Sequence, residues 1–254
     1  MPKQTVVYFF DVAIKYFKGT KMMKHIPFES LYLADHGWLK SRFHFSFAEY
    51  RNIDNVQYGP LRVMNDDLIK KHTGFGTHPH HDMEIVSYVL RGELTHQDSM
   101  GHKESLGRGA IQYMSAGTGI MHSEMNEGDE EVHLIQTWII PQEKNLKPQY
   151  GSKVFEKDER HNRWLHLVGP EGSGANINIY QDASMYAAEV DAGKRLDFDL
   201  QEGRALYVKL MEGHAYINGT TFAQGDAAEV EGEALHVEAI GSAHLLLVEM
   251  QTAQ

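Results

Sequence analysis

The sequence predicts an all-β chain built as two small β-barrels, one after the other. Three observations lead there. Apolar segments are short, alternate with polar residues and are broken by turn residues about every ten positions, the pattern of a sandwich or barrel. Glycine, at 23 residues, is abundant enough to supply those turns. The second half then repeats the motif order of the first: YVLRGEL is echoed by YVKLMEG, RGAIQYM by QGDAAEV, and MHSEM by LHVEA, which suggests a duplicated unit.

Residues 1–28 read as an N-terminal extension. Within it VVYFF and VAIKYF fit a strand and a short helix, or one amphipathic helix, and Met22-Met23 allows a later start. From Ile26 to Asp67 the chain reads as strands and turns. Gly37 marks a turn, and Phe43, Phe45 and Phe47 alternate with His44 and Ser46, so the rings face a core and His44 faces away, solvated or hydrogen-bonded. Leu61–Met64 is a short strand closed by Asn65-Asp66-Asp67, read as a turn or cap. MEIVSYVLRG (83–92) is a strand. His96 and His102 fall near a hairpin tip at Gly101 and are expected to face solvent; no metal partner for Asp98 is expected. EVHLIQTWII (131–140) places Gln136 and Trp138 on one face, where they could line a cavity. The charged stretch 141–163 loses periodicity and contains the linker (146–163), with a short exposed helix at its end. Strands resume from Trp164, and Asn218-Gly219 signals a hairpin.

Composition narrows the function. A formal charge of −11 disfavours a phosphate-tracking surface, so direct nucleic-acid binding is not expected. There is no cysteine, which removes disulfides, thiolate metal sites and a Cys nucleophile. No run approaches the roughly 18 apolar residues of a membrane span. TVVYFF is interrupted by Asp11, Lys15 and Lys18 and lacks a cleavage pattern, so a cytoplasmic location is the expectation.

The chemistry concentrates between Gly74 and Asn126. His78 and His80 are separated by one residue, as are His122, Glu124 and Asn126. Residues two apart share one face of a strand. If the two faces meet inside a barrel, three imidazoles and a carboxylate converge on a metal ion. Such a set fills four octahedral positions and leaves two open, as a catalytic ion requires. Strand parity admits either Glu84 or Glu124 as the carboxylate. Asp197, Asp199, His236 and Glu238 occupy the equivalent places in the second half. Because they lack the flanking glycines, they are not taken as a site.

HPHHDMEIVSYVLRG, the Gly117-Thr118-Gly119 before His122, HSEMN, and upstream HGWLKSRFHFSFA and LRVMNDD together resemble the pirin family of bicupins, from about residue 29 to the C-terminus. The resemblance implies two facing jelly-roll barrels: a metal-binding cupin domain over 29–145 and a second cupin domain over 164–254 without a functional metal site. It implies His78, His80, His122 and Glu124 as metal ligands, leaving Glu84 a supporting or structural role. One departure is His81, where related sequences commonly carry Arg or Lys. The implied cofactor is one divalent ion, Fe(II) foremost, with Cu, Ni, Co, Mn or Zn as alternatives. The implied activity is that of a quercetin 2,3-dioxygenase: opening of a flavonol-like aromatic substrate with O2 and release of carbon monoxide, with Glu124 as the catalytic base. Two other readings belong to the same resemblance: a metal- or redox-dependent regulatory protein that binds a protein partner, and a redox-neutral isomerase or hydrolase. A monomer without membrane contact is expected in each case.

Overall fold

The alternating segments are realised as strands nearly throughout. The computed structural model describes residues 22–252; the expectations for residues 1–21 lie outside the described residues. The first half comprises β1 (Met22–Ile26), β2 (Tyr32–Asp35), β3 (Leu39–Phe43), β4 (Leu61–Ile69), β5 (Thr73–His80) and β6 (Glu84–Arg91), then β7 (Leu94–Asp98), β8 (Lys103–Leu106), β9 (Ile111–Ser115), β10 (Ile120–Asn126), β11 (Val132–Ile139) and β12 (Gln149–Lys153). A one-turn helix α1 (Lys157–Arg160) leads to β13 (Leu165–Gly169), β14 (Ile177–Asn178), β15 (Ala183–Val190), β16 (Arg195–Phe198), β17 (Arg204–Ile217), β18 (Thr220–Phe222), β19 (Ala227–Glu231) and β20 (Leu235–Gln251). The fold is all-β, as expected. No helix among the described residues is long and apolar enough to cross a membrane.

The first half is a jelly-roll sandwich. Seven strands in the order β12-β9-β6-β11-β4-β3-β2 form one layer, and β5-β10-β7-β8 form the other. In the second half β17 and β20 are long enough to belong to both layers of a second sandwich. β20 pairs with β15 over residues 243–250 and with β16 over residues 235–238, while bulges near Glu212 and Gly213 bend β17. The large core lies between the two halves, where Val86, Tyr88 and Ile135 of the first meet Met185, Tyr207 and Leu246 of the second.

One stretch of the chain crosses that division, and another lies inside the first sheet rather than between the halves. β1 is an edge strand on β19, so Met22–Ile26 belongs to the sheet of the second half. β12, within the stretch read as a linker, pairs with β9 in the first half.

Asn65, Asp66 and Asp67 do not form a turn; they sit buried inside β4, which runs on to Ile69. Asp66 and Asp67 find polar partners there that a strand in isolation would lack. Asp66 points toward the second half and pairs with Lys209 at 2.8 Å and His133 at 2.7 Å. Asn65 and Asp67 point the other way, into the first sandwich. His44 is buried and hydrogen-bonds Tyr207 across the division at 2.8 Å, so its bonded rather than solvated reading holds.

Candidate metal centre and its cavity

β5 and β10 lie side by side, antiparallel, with His78 directly opposite His122. Between Phe75 and His78, β5 carries an extra residue relative to β10, a bulge that turns the strand locally and re-aims His78. Gly74 allows the approach: a Cβ there would stand 2.3 Å from the Glu124 carbonyl oxygen. One side chain of each ligand candidate, His78, His80 and His122, offers a nitrogen within 4.8 Å of the others. The Nε2 atoms of His78 and His122 are 3.0 Å apart. Two nitrogens bound to one ion at about 2.1 Å and at right angles would be separated by about 3 Å. The donor set therefore fits one ion.

Hydrogen bonds fix which nitrogen faces inward. His78 donates Nδ1–H to the Gly76 carbonyl at 2.8 Å, leaving the Nε2 lone pair free for an ion. Burial, reinforced by the neighbouring imidazoles, pushes the His80 pKa down to about 4 and that of His122 down to about 3, so both are neutral ligands at physiological pH. Glu124 is buried beside this set rather than within it. Its carboxylate accepts from Ser87 Oγ at 3.1 Å and from Gln136 Nε2 at 2.8 Å. Glu84 faces the opposite side of β6, where Oε2 accepts from the Tyr113 hydroxyl and the Tyr180 backbone N–H, each at 2.9 Å. Parity alone left these two carboxylates equivalent; the direction each strand presents to the cavity separates them.

The cavity in front of the imidazoles measures about 400 Å³. That is room for a drug-sized ligand. Trp38, Phe43, Phe47, Phe75 and Trp138 supply its aromatic walls, and His78, His80 and Glu124 one side.

Comparison with known proteins supplies the lineage. A family model described as Pirin matches residues 20–139, and one described as Quercetinase C-terminal cupin domain matches residues 166–250. A pirin-like protein of Caulobacter vibrioides is 40% identical over 230 residues, 90% of this chain and 99% of that protein. The quercetin 2,3-dioxygenase of Escherichia coli K12 is 37% identical over 219 residues, 85% and 94% of the two chains. The chain belongs to the pirin family. The crystal structure of the bacterial pirin YhhW from Escherichia coli in complex with nickel(II) superposes with a TM-score of 0.86 at 34% identity, covering 91% of this chain and all of that one. The fold is thus the bicupin of the pirins.

Sequence reasoning misplaced one part of this pirin's site. His96 does not face solvent; it and Asp98 are buried on the inner face of β7. β7 runs on to Asp98 and turns only at Ser99–Gly101, so His96 and Asp98 retain strand parity and stand directly opposite Glu124 and His122. His96 donates Nε2–H to Asp98 Oδ2 at 3.3 Å. Its Nδ1 then accepts from Gln112 Nε2 at 3.1 Å and, at a longer 3.5 Å, from His122 Nδ1. Asp98 is further held by the backbone N–H groups of Met100 and His102 and by the His102 ring, which outweigh burial and lower its pKa. His102 is half exposed, as its position suggested. The alternation of His96 with Asp98 was the signal available, the same one that exposed His78 and His80.

The remaining candidates have structural roles. Asn126 binds the carbonyls of Ile69 and Glu130. His81 pairs with Asp82 at the surface. In the second half Asp197 pairs with His236, and Glu238 with Arg195, all exposed.

Proposed function

We propose that this pirin is a metal-dependent dioxygenase that opens flavonols such as quercetin with O2. The observation that carries the reading is the convergence of three imidazoles, two of which line one side of an aromatic-walled cavity together with a buried carboxylate. The proposed ligands are His78, His80, His122 and Glu124, with Fe(II) as the native ion. The relatives' names point to the substrate class. The domain reading stands within the same proposal: residues 29–145 hold the ion, 146–163 connect, and 164–254 form a second cupin domain without one. Action as a cytoplasmic monomer completes it.

When bound, the ion supplies Lewis acidity toward a substrate hydroxyl and the redox capacity that O2 chemistry needs. The chain's own residues do the rest. Trp38, Phe47, Phe75 and Trp138 hold a planar ring system by its faces and exclude water. Glu124 accepts the proton of the flavonol 3-hydroxyl at a carboxylate oxygen, and Ser87 at Oε1 and Gln136 at Oε2 keep the carboxylate aimed. Ring opening then incorporates both atoms of O2 into the ester product and releases one ring carbon as carbon monoxide.

The test is purified protein loaded with Fe(II) and given quercetin in air. Equal consumption of quercetin and O2 with carbon monoxide release is expected, and His122→Ala should lose both bound metal and at least 100-fold of the rate. Absence of turnover with Fe, Cu, Ni, Co and Mn alike would overturn the proposal.

A further inference from the structure

The inner face of the larger sheet in the metal-binding half carries a row of polar residues, one per strand: Gln112 on β9, Ser87 on β6, Gln136 on β11 and Asn65 on β4, each directly opposite the next. Residues directly opposite one another project from the same face. Three members of the row have a partner on the facing sheet. Gln112 bonds His96, while Ser87 and Gln136 bond Glu124. Asn65 has none. It is 3% exposed, its Oδ1 is buried without a hydrogen-bond partner, and it lines the cavity. Two residues along β4, Asp67 faces the same cavity, accepting from Ser41 on β3 through one carboxyl oxygen. An amide oxygen withdrawn from water without a partner is destabilising. Such a cost persists where a ligand meets it.

We propose that Asn65, together with Asp67 and Ser41, forms a subsite that hydrogen-bonds the ring hydroxyls of a planar polyhydroxylated aromatic substrate at the wall of the cavity beyond Gln136. The inference rests on the flavonol reading and deepens it. Asn65 stands one strand further from Glu124 than Gln136 does, about 5 Å across the sheet. A ring system whose reacting hydroxyl lies at Glu124 therefore extends its remaining hydroxyls toward Asn65 and Asp67. Phe43, opposite Asn65 on β3, gives those rings an apolar face beside the amide. The subsite discriminates by hydroxyl content, because a ring without hydroxyls leaves the amide unpaired.

The experiment is equilibrium titration of metal-loaded protein under nitrogen, where no turnover occurs, read by quenching of tryptophan fluorescence. The probes are quercetin, with two hydroxyls on its pendant ring, kaempferol, with one, and galangin, with none. The wild type should bind quercetin at least tenfold more tightly than galangin. Asn65→Leu should bring that ratio to within twofold, chiefly by weakening quercetin, with metal content unchanged. Its Tm should equal or exceed that of the wild type, since no intrachain hydrogen bond is lost; a purely structural amide would instead lower Tm and leave the ratio alone. Asp67→Asn, which retains a side chain able to bond Ser41, should reduce the ratio by a smaller factor. An unchanged ratio in Asn65→Leu, or equal affinity of the three flavonols for the wild type, overturns the subsite while leaving the flavonol reading intact. Failure of any flavonol to bind the wild type overturns both.

Discussion

His122 can face an ion with Nε2 only if its other nitrogen carries the proton, and that proton needs an acceptor. His96 Nδ1 is that acceptor, because its own Nε2–H is committed to Asp98. Partners of this kind hold ring orientation and typically contribute 10–100-fold in metal affinity. His96→Leu should accordingly lower metal affinity by about that factor without abolishing binding. Chelator competition would measure it, and an unchanged affinity would show that the 3.5 Å contact does no orienting. Asp67 yields a pH prediction. Burial, helped by the Asp66 and Glu124 charges and opposed by the Ser41 bond, pushes its pKa up from 3.8 to about 7. The folded state thus holds a proton that the unfolded chain has released above pH 4. The resulting stability is complete below the unfolded value and is lost as the pH rises through about 7. Asp67→Asn, which mimics the protonated form, should therefore raise the Tm of the metal-free protein more at pH 8 than at pH 5, as scanning calorimetry at the two pH values would show.

At the scale of the element, β5 shows how a backbone irregularity serves the site. Both of its histidines are readable by parity, yet the register shift at Gly76-Thr77 means that His78 and Glu124 would not be correctly related by a regular ladder. The tight contact at Gly74 is part of the same arrangement. Gly74→Ala would force a methyl group against the Glu124 carbonyl, separating β5 from β10. We expect a loss of about 2 kcal/mol or more in urea unfolding of the metal-free protein, together with weakened metal binding. β4 makes the complementary point. Its Asn-Asp-Asp sequence has the chemistry of a turn, yet it runs on as a strand, with Asp67 bonded to Ser41 of β3 and Asp66 to His133 of β11 and Lys209 of the second half.

For the whole molecule, the second half supports the first without contributing to the imidazole cluster. Lys209 is fully buried at their junction, bonded to Asp66 and to the Gly225 carbonyl, with its ammonium over the Phe28 ring. Burial alone would raise the Asp66 carboxyl, but Lys209 and His133 hold it well below the usual carboxylate range. Lys209→Met leaves that carboxylate buried with His133 alone and should cost roughly 3–5 kcal/mol, whereas adding Asp66→Leu should restore much of the loss. Denaturant unfolding of the two variants decides it; equal losses would mean that packing rather than charge pairing is at stake.

The sequence by itself determined the strand-rich class, the duplication and the three histidines, because a period of two and a glycine-bounded motif are properties of neighbouring residues. Only the tertiary structure decided which carboxylate faces the cavity, that His96 and Asp98 lie beneath His122, and that Asn65 and Asp67 face the cavity from inside a strand. Those facts depend on which sheet covers which face, and local alternation carries no information about what stands opposite.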